Sequence, residues 1–118
     1  IMNMAGGFAG KSGGSVKVVH DRLQAAEDAD VIYAKSWGSL LRYEDPGAEQ
    51  DLRDGLKDRV VDSELMSRTR RAYFMHCLPV RRNVVVTDDV IDSNRSVVLQ
   101  EAENRLHAQK AILEWIFS

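Results

Sequence analysis

The residues best equipped for chemistry crowd into one short stretch, "RAYFMHCLPVRRN" (Arg71 to Asn83): an apolar run that ends on His76, the chain's only cysteine at Cys77, then Leu78, Pro79, Arg81 and Arg82. A thiol beside an imidazole invites a nucleophile reading. Neighbours on a strand point to opposite faces, however, so His76 and Cys77 cannot act as a dyad unless the strand breaks between them. Taken alone, Cys77 reads as a buried thiol behaving as a small apolar residue. Arg81 and Arg82 carry forked donors suited to a carboxylate or phosphate, against the plainer reading of a solvated pair in a loop. Lys35 is a further cation at the close of an apolar run, "DVIYAKS". Arg105 lies near the start of a long helical segment, where the macrodipole favours acids such as Glu101 and Glu103. A cation placed against that preference points to function, whereas His107 and Lys110 read as solvated surface. "SRTR" (Ser67 to Arg70) has the look of a phosphate-gripping run, but it leads into a strand instead of following one and reads as surface.

The elements that must position these groups follow from periodicity. "SVKVVH" from Ser15 is short and β-branched, "DRLQAAEDA" puts Leu23, Ala26 and Ala29 on one helical face with Asp21 as its N-cap, and "DVIYAKS" is apolar again. Strand, helix, strand predicts a βαβ unit and a parallel sheet. "WGSLLRYEDPGAEQD" reads as a loop punctuated by Pro46-Gly47. A helix is expected from Asp62 to Arg70, a third strand from Ala72 to Leu78, a short helix capped by Thr87, a fourth strand at "SVVLQ", and a closing helix packed through Leu106, Ile112, Leu113 and Ile116. This alternation gives an α/β fold, a parallel sheet with flanking helices. In such sheets ligands bind beyond the carboxyl ends of the strands, where Lys35, His76, Cys77 and Arg81 fall.

At 118 residues with formal net charge −2, 44% hydrophobic and 29% charged residues, the chain has the length of one domain and ordinary globular composition. Nothing in that balance calls for nucleic acid or an anionic membrane as partner. A single cysteine allows no internal disulfide, and no zinc-type Cys/His spacing occurs; a reducing, cytoplasmic location is the expectation. No apolar stretch has the length of a membrane span. The opening "IMNMAGGFAGKSGGS" lacks the pattern of a secretory signal, and together with its start at Ile1 it reads as a loose remnant of a longer protein.

"HCLP" at His76 to Pro79, with "DADVIYAKSW" upstream and "EAENRLHAQKAI" downstream, resembles the second, amino-acid-binding domain of the carbamoyltransferases from Gly14 onward, most closely in the N-acetyl- and N-succinyl-ornithine group. The resemblance implies a Rossmann-like second domain, truncated: residues 1–14 a remnant, 15–100 a partial ornithine-binding α/β domain, and 101–118 a helix packing back toward a carbamoyl-phosphate domain. It implies transfer of a carbamoyl group from carbamoyl phosphate to the δ-amine of an N-acylated ornithine in arginine biosynthesis, by a cytoplasmic homotrimer that uses no metal or organic cofactor. By the same resemblance Cys77 and the backbone at Leu78 lie beside the reacting amine, with Leu78-Pro79 cis, Arg105 reaches the carbamoyl oxygen, and Lys35 and Arg81 hold the amino-acid end.

Lys35 bears on the subclass. Enzymes of free ornithine carry a stretch resembling "TDVWxSMG", whose Asp can meet the α-ammonium; here "AKSWGS" places Lys35 there. A lysine repels an ammonium, whereas acylation removes that charge and leaves a carboxylate for the lysine to pair with. Val85 resembles the succinyl type and "EAENRLHAQKAI" the acetyl type, so the acyl group stays open. The "STRT"-like loop and "HPxQ" motif of the family's first domain do not occur in this sequence, which implies a chain inactive alone. The alternatives are an ornithine carbamoyltransferase and a non-catalytic amino-acid-binding module.

Overall fold

The computed structural model describes residues 1–36 and 44–118. Its centre is a parallel pair, β1 (Val31–Tyr33) and β2 (Tyr73–Met75), in the register Val31 with Tyr73, Ile32 with Phe74 and Tyr33 with Met75. Strand β2 is hydrogen-bonded on both edges. The Tyr73 N–H donates to the Asp30 carbonyl at 3.1 Å and the Ala34 N–H to the Met75 carbonyl at 3.0 Å, while on the other edge the Phe74 N–H donates to the Arg95 carbonyl at 2.9 Å and the Phe74 carbonyl accepts from the Val97 N–H at 3.0 Å. The strand alternation expected of a half-buried run is plain: Tyr73 and Cys77 are exposed, Phe74 and His76 are buried.

Around the sheet lie α1 (Met2–Lys11), α2 (Arg22–Ala26), α3 (Pro46–Asp54), a 3-10 turn (Lys57–Arg59), α4 (Ser63–Ser67), α5 (Asp88–Ile91) and α6 (Val98–Phe117). Phe74 and Val86, each fully buried, anchor the core with Ala26, Val61, Leu65, Val90, Ile91 and Val98. Asp21 caps α2, accepting from the N–H of Leu23 at 2.9 Å and of Gln24 at 3.0 Å, and Asp62 caps α4 through the Leu65 N–H at 2.9 Å. A fork from Arg22 to Asp62, at 3.0 and 3.2 Å, ties the two helix starts together, and the same guanidinium donates to the Val60 carbonyl at 3.2 Å. Burial pushes the Asp62 carboxyl up, but the hydrogen bonds from Arg22 and the Leu65 N–H outweigh it and hold it below the usual range.

Several expectations are corrected. "SVKVVH" forms no strand: among the described residues it pairs with nothing, and Val16, Val18 and Val19 stand exposed. β-branched residues favour extended backbone, but a strand needs a neighbour to pair with. "SVVLQ" contributes only a bridge from Ser96 to Phe74 before Val97 turns the chain into α6. Residues 46–51 are helical, with Pro46 at the first helical position and the Ala48 N–H donating to Asp45 at 3.0 Å; the Trp37 to Tyr43 part of that loop reading lies outside the described residues. The opening run contains helix α1, although no residue of it is buried. The helix expected to reach Arg70 stops at Ser67, and Arg71, at φ 58°, turns the chain into β2. Thr87 stands at the N-cap of α5, but the Asp88 N–H is met by the Asn83 side chain at 3.1 Å.

The expected packing stripe of α6 does not pack against the described residues: Leu106, Ile112, Leu113 and Ile116 are all more than half exposed. With α1 it projects from the body. The radius of gyration, 17.1 Å, exceeds the roughly 13.5 Å of a compact domain of this length. None of the described helices is long and apolar enough to cross a membrane.

Candidate active site

Because β1 and β2 are parallel, their carboxyl ends open at one edge of the sheet. Lys35 and Cys77 each follow the paired residues Tyr33 and Met75 by two positions. The chain leaves β2 through a turn in which Leu78 has φ 49°, a left-handed conformation uncommon for a branched residue, and the Leu78-Pro79 peptide is cis. His76 secures this turn from inside. Its ring is 1% exposed, its Nδ1 accepts the Leu78 N–H at 2.9 Å, and its Nε2 lies 3.4 Å from Ser36 Oγ. An Nδ1 that accepts carries no proton, so the ring is the neutral tautomer protonated at Nε2. Burial lowers its pKa, opposed by the nearby charge of Glu101.

Cys77 points the other way and is exposed, so the buried-thiol reading is overturned. Strand alternation is the reason: with His76 inward, Cys77 must face outward. Opposite faces also rule out a dyad. Leu78 is half-buried in the packing around the core. Lys35 is exposed and has no side-chain partner among the described residues.

The two arginines of the turn part company. Arg82 is spent on α5, donating from Nε to Asp88 at 2.6 Å and from Nη1 to Asp92 at 3.0 Å, with Nη2 also on Asp92. Hydrogen bonds from Asn83 and Arg82 hold the Asp88 carboxyl below its ordinary value. Arg81 makes no side-chain bond among the described residues and lines a cavity of about 450 Å³ with Asp54, Lys57, Asn83, Val84 and Thr87. In that cavity Lys57 is paired with Asp54 at 2.8 Å, which leaves Arg81 as the unpaired cation among the described lining residues. Arg105 is exposed, one turn beyond Glu101 on α6. "SRTR" lies at the end of α4, before β2, away from this edge.

Two residues at the edge were not singled out by sequence as a pair. The Tyr33 hydroxyl, at the end of β1, donates to Glu101 Oε1 in the first turn of α6 at 2.6 Å, and this bond pushes the tyrosine up to about 12. The signal available in the sequence was only that Glu101 shares a helix face with Arg105. No cluster of metal-ligating side chains occurs among the described residues.

Comparison with known proteins shows what the chain is similar to. The chain is 46% identical over 112 residues to an N-acetylornithine carbamoyltransferase of Xanthomonas campestris pv. campestris, covering 95% of this chain and 33% of that protein. It is 48% identical over 109 residues to an ornithine carbamoyltransferase of Thermococcus kodakarensis, covering 89% of this chain and 33% of the relative. It superimposes with a TM-score of 0.83, at 46% identity, on a crystal structure of acetylornithine transcarbamylase complexed with acetylcitrulline, covering 95% of this chain and 34% of the other. The chain thus spans about a third of the length of the curated relatives it matches. The family described as aspartate/ornithine carbamoyltransferase, Asp/Orn binding domain, matches residues 1–116, and the chain belongs to it.

Proposed function

We propose that this chain supplies the amino-acid side of the active site of an N-acylornithine carbamoyltransferase. The observation that carries the reading is Lys35, with no carboxylate partner among the described residues, at the same sheet edge as the outward-facing Cys77. In the reaction the neutral δ-amine attacks the carbonyl carbon of carbamoyl phosphate. A C–N bond forms, the C–O bond to phosphate breaks with its electron pair, and the nitrogen gives up a proton that leaves with the phosphate. Cys77 and the Leu78 backbone stand beside the amine, Arg105 meets the developing negative charge on the carbamoyl oxygen, and Lys35 and Arg81 take the carboxylate end. No step asks for a metal or organic cofactor. Residues that grip the phosphate have no counterpart in this sequence, so they come from outside these 118 residues, and the chain alone is inactive. In the cell the activity belongs to arginine biosynthesis in the cytoplasm, in a homotrimer.

The Thermococcus relative, at 48% identity, favours a second reading, transfer to free ornithine. Lys35 opposes it, because a lysine repels the α-ammonium that free ornithine retains. Both readings are tested by joining this chain to the remaining two thirds of the Xanthomonas relative and measuring carbamoylated product. Turnover of N-acetyl- or N-succinyl-ornithine above that of ornithine, reduced by Cys77→Ala, is expected. A folded hybrid that binds an acylated ornithine without turnover would leave a binding module.

A further inference from the structure

The ladder that joins β1 to β2 ends with the bond from the Ala34 N–H to the Met75 carbonyl at 3.0 Å. Beyond it Lys35 and Ser36 continue one chain and Cys77 and Leu78 the other, and among the described residues no backbone hydrogen bond joins the two. What joins them is the imidazole of His76, 1% exposed, with Nδ1 on the Leu78 N–H at 2.9 Å and Nε2 facing Ser36 Oγ at 3.4 Å. One buried ring thus touches both strand ends where the ladder has stopped. The Leu78 bond is the stronger of the two contacts, and it has a conformation to hold. Leu78 stands at φ 49°, which a residue with a Cβ keeps only where its surroundings fix it. Without an acceptor for its N–H, Leu78 relaxes toward an ordinary φ, and the Leu78 backbone and the Cys77 beside it shift together.

We propose that His76 is a positioning residue that sets the spacing between the two ends of the substrate site, Lys35 at the carboxylate and the Cys77–Leu78 turn at the reacting amine. The inference rests on the proposed carbamoyl transfer to an N-acylated ornithine. In such a substrate the methylenes between the α-carbon and the terminal amine fix how far apart the two grips must stand. A reacting group displaced by about 1 Å loses on the order of a hundredfold in rate. An edge held at one spacing therefore selects one chain length, and an edge whose Leu78 turn can shift selects less sharply. His76 is too deeply buried to meet the substrate itself and acts through Leu78.

The test is chain-length selectivity in the joined enzyme: kcat/KM for α-N-acetylornithine against α-N-acetyllysine, a methylene longer, and α-N-acetyl-2,4-diaminobutyrate, a methylene shorter. A ratio of kcat/KM values does not depend on how much of the enzyme is folded, so a residue that only stabilises the fold leaves it unchanged. His76→Phe removes the acceptor for the Leu78 N–H, and His76→Gln carries its amide out toward the place of Nε2 and leaves that of Nδ1 empty. His76→Asn puts Oδ1 near the place of Nδ1, as asparagine does in turns where it accepts from the N–H two residues on. The phenylalanine and glutamine variants are expected to lose about tenfold in preference for acetylornithine over its homologues, and the asparagine variant to keep most of it. Should either of the first two not fold, the other makes the comparison. An unchanged preference in them, or a loss in His76→Asn as large as theirs, overturns the proposal and leaves the carbamoyl-transfer reading in place. A joined wild type that turns over none of the three amines defeats that reading, and the positioning role with it.

Discussion

His76→Phe keeps a planar ring at the most buried polar side chain among the described residues and removes the Nδ1 acceptor of the Leu78 N–H at 2.9 Å. The Nε2 contact to Ser36, at 3.4 Å beside an exposed residue, is weak and its loss is made good by water. A buried donor left without an acceptor costs about 1–3 kcal/mol. Unfolding entropy scales with length, and for this chain each kcal/mol moves the melting point by about 4 °C. The variant should thus melt about 4–12 °C lower at neutral pH. Acid gives an independent signature. Burial holds the folded His76 below its ordinary 6.5, so below that value the unfolded chain takes up a proton that the folded chain refuses. The contribution is fully present above pH 6.5 and is lost as pH falls from there through the lowered folded value. His76→Phe should lack this loss, while exposed His20 and His107 remain in both proteins as controls. Thermal melts across this pH range decide the matter. A variant that melts with wild type at neutral pH, or that loses stability in acid as wild type does, would refute the neutral, accepting imidazole.

Asp62→Asn should keep the α4 cap and lose the Arg22 fork, for about 1 kcal/mol by urea unfolding since the pair is partly solvated, while Asp62→Ala loses the cap as well, for about 2 kcal/mol; equal losses would show that only one of the two roles matters. Because its carboxyl is held below the ordinary 3.8, the Asp62 contribution should persist at neutral pH and disappear only as the pH falls below that value. Arg82→Ala should lower the melting point, because Asp88 and Asp92 lose their ion-pair partner. Arg81→Ala should leave melting unchanged and instead raise the KM for the amino-acid substrate in the joined enzyme; the reverse pattern would exchange their roles.

What sequence reveals here depends on how local the cause is. Asp21 and Asp62 cap their helices because capping needs only a side chain and the N–H groups that follow it. Alternation along β2 made it legible that His76 and Cys77 lie on opposite faces, but not which of the two faces in: Cys77 read as the buried one and is exposed, while His76 is buried. The strand reading of Val16 to Val19 failed for a non-local reason, since extended backbone becomes a strand only when another strand lies beside it. Pro46 was read as a loop marker although proline is equally at home in a first helical turn, and Asp45 caps the helix it begins. Periodicity located the apolar stripe of α6 without saying what it packs against, and it stands exposed. The Tyr33–Glu101 contact joins elements at opposite ends of the chain, and no spacing rule reaches that far.

The central claim, that this edge receives an ornithine whose α-nitrogen is acylated, is tested most directly by Lys35→Asp in the joined enzyme. The comparison is kcat/KM for N-acetylornithine, N-succinylornithine and ornithine in one buffer. Replacing attraction for the α-carboxylate by repulsion in a covered site should cost both acylated substrates at least about 2 kcal/mol, roughly thirtyfold, while ornithine holds or improves as the aspartate meets its ammonium. Small, equal losses on all three substrates would show that Lys35 touches solvent and not substrate, and would contradict the account.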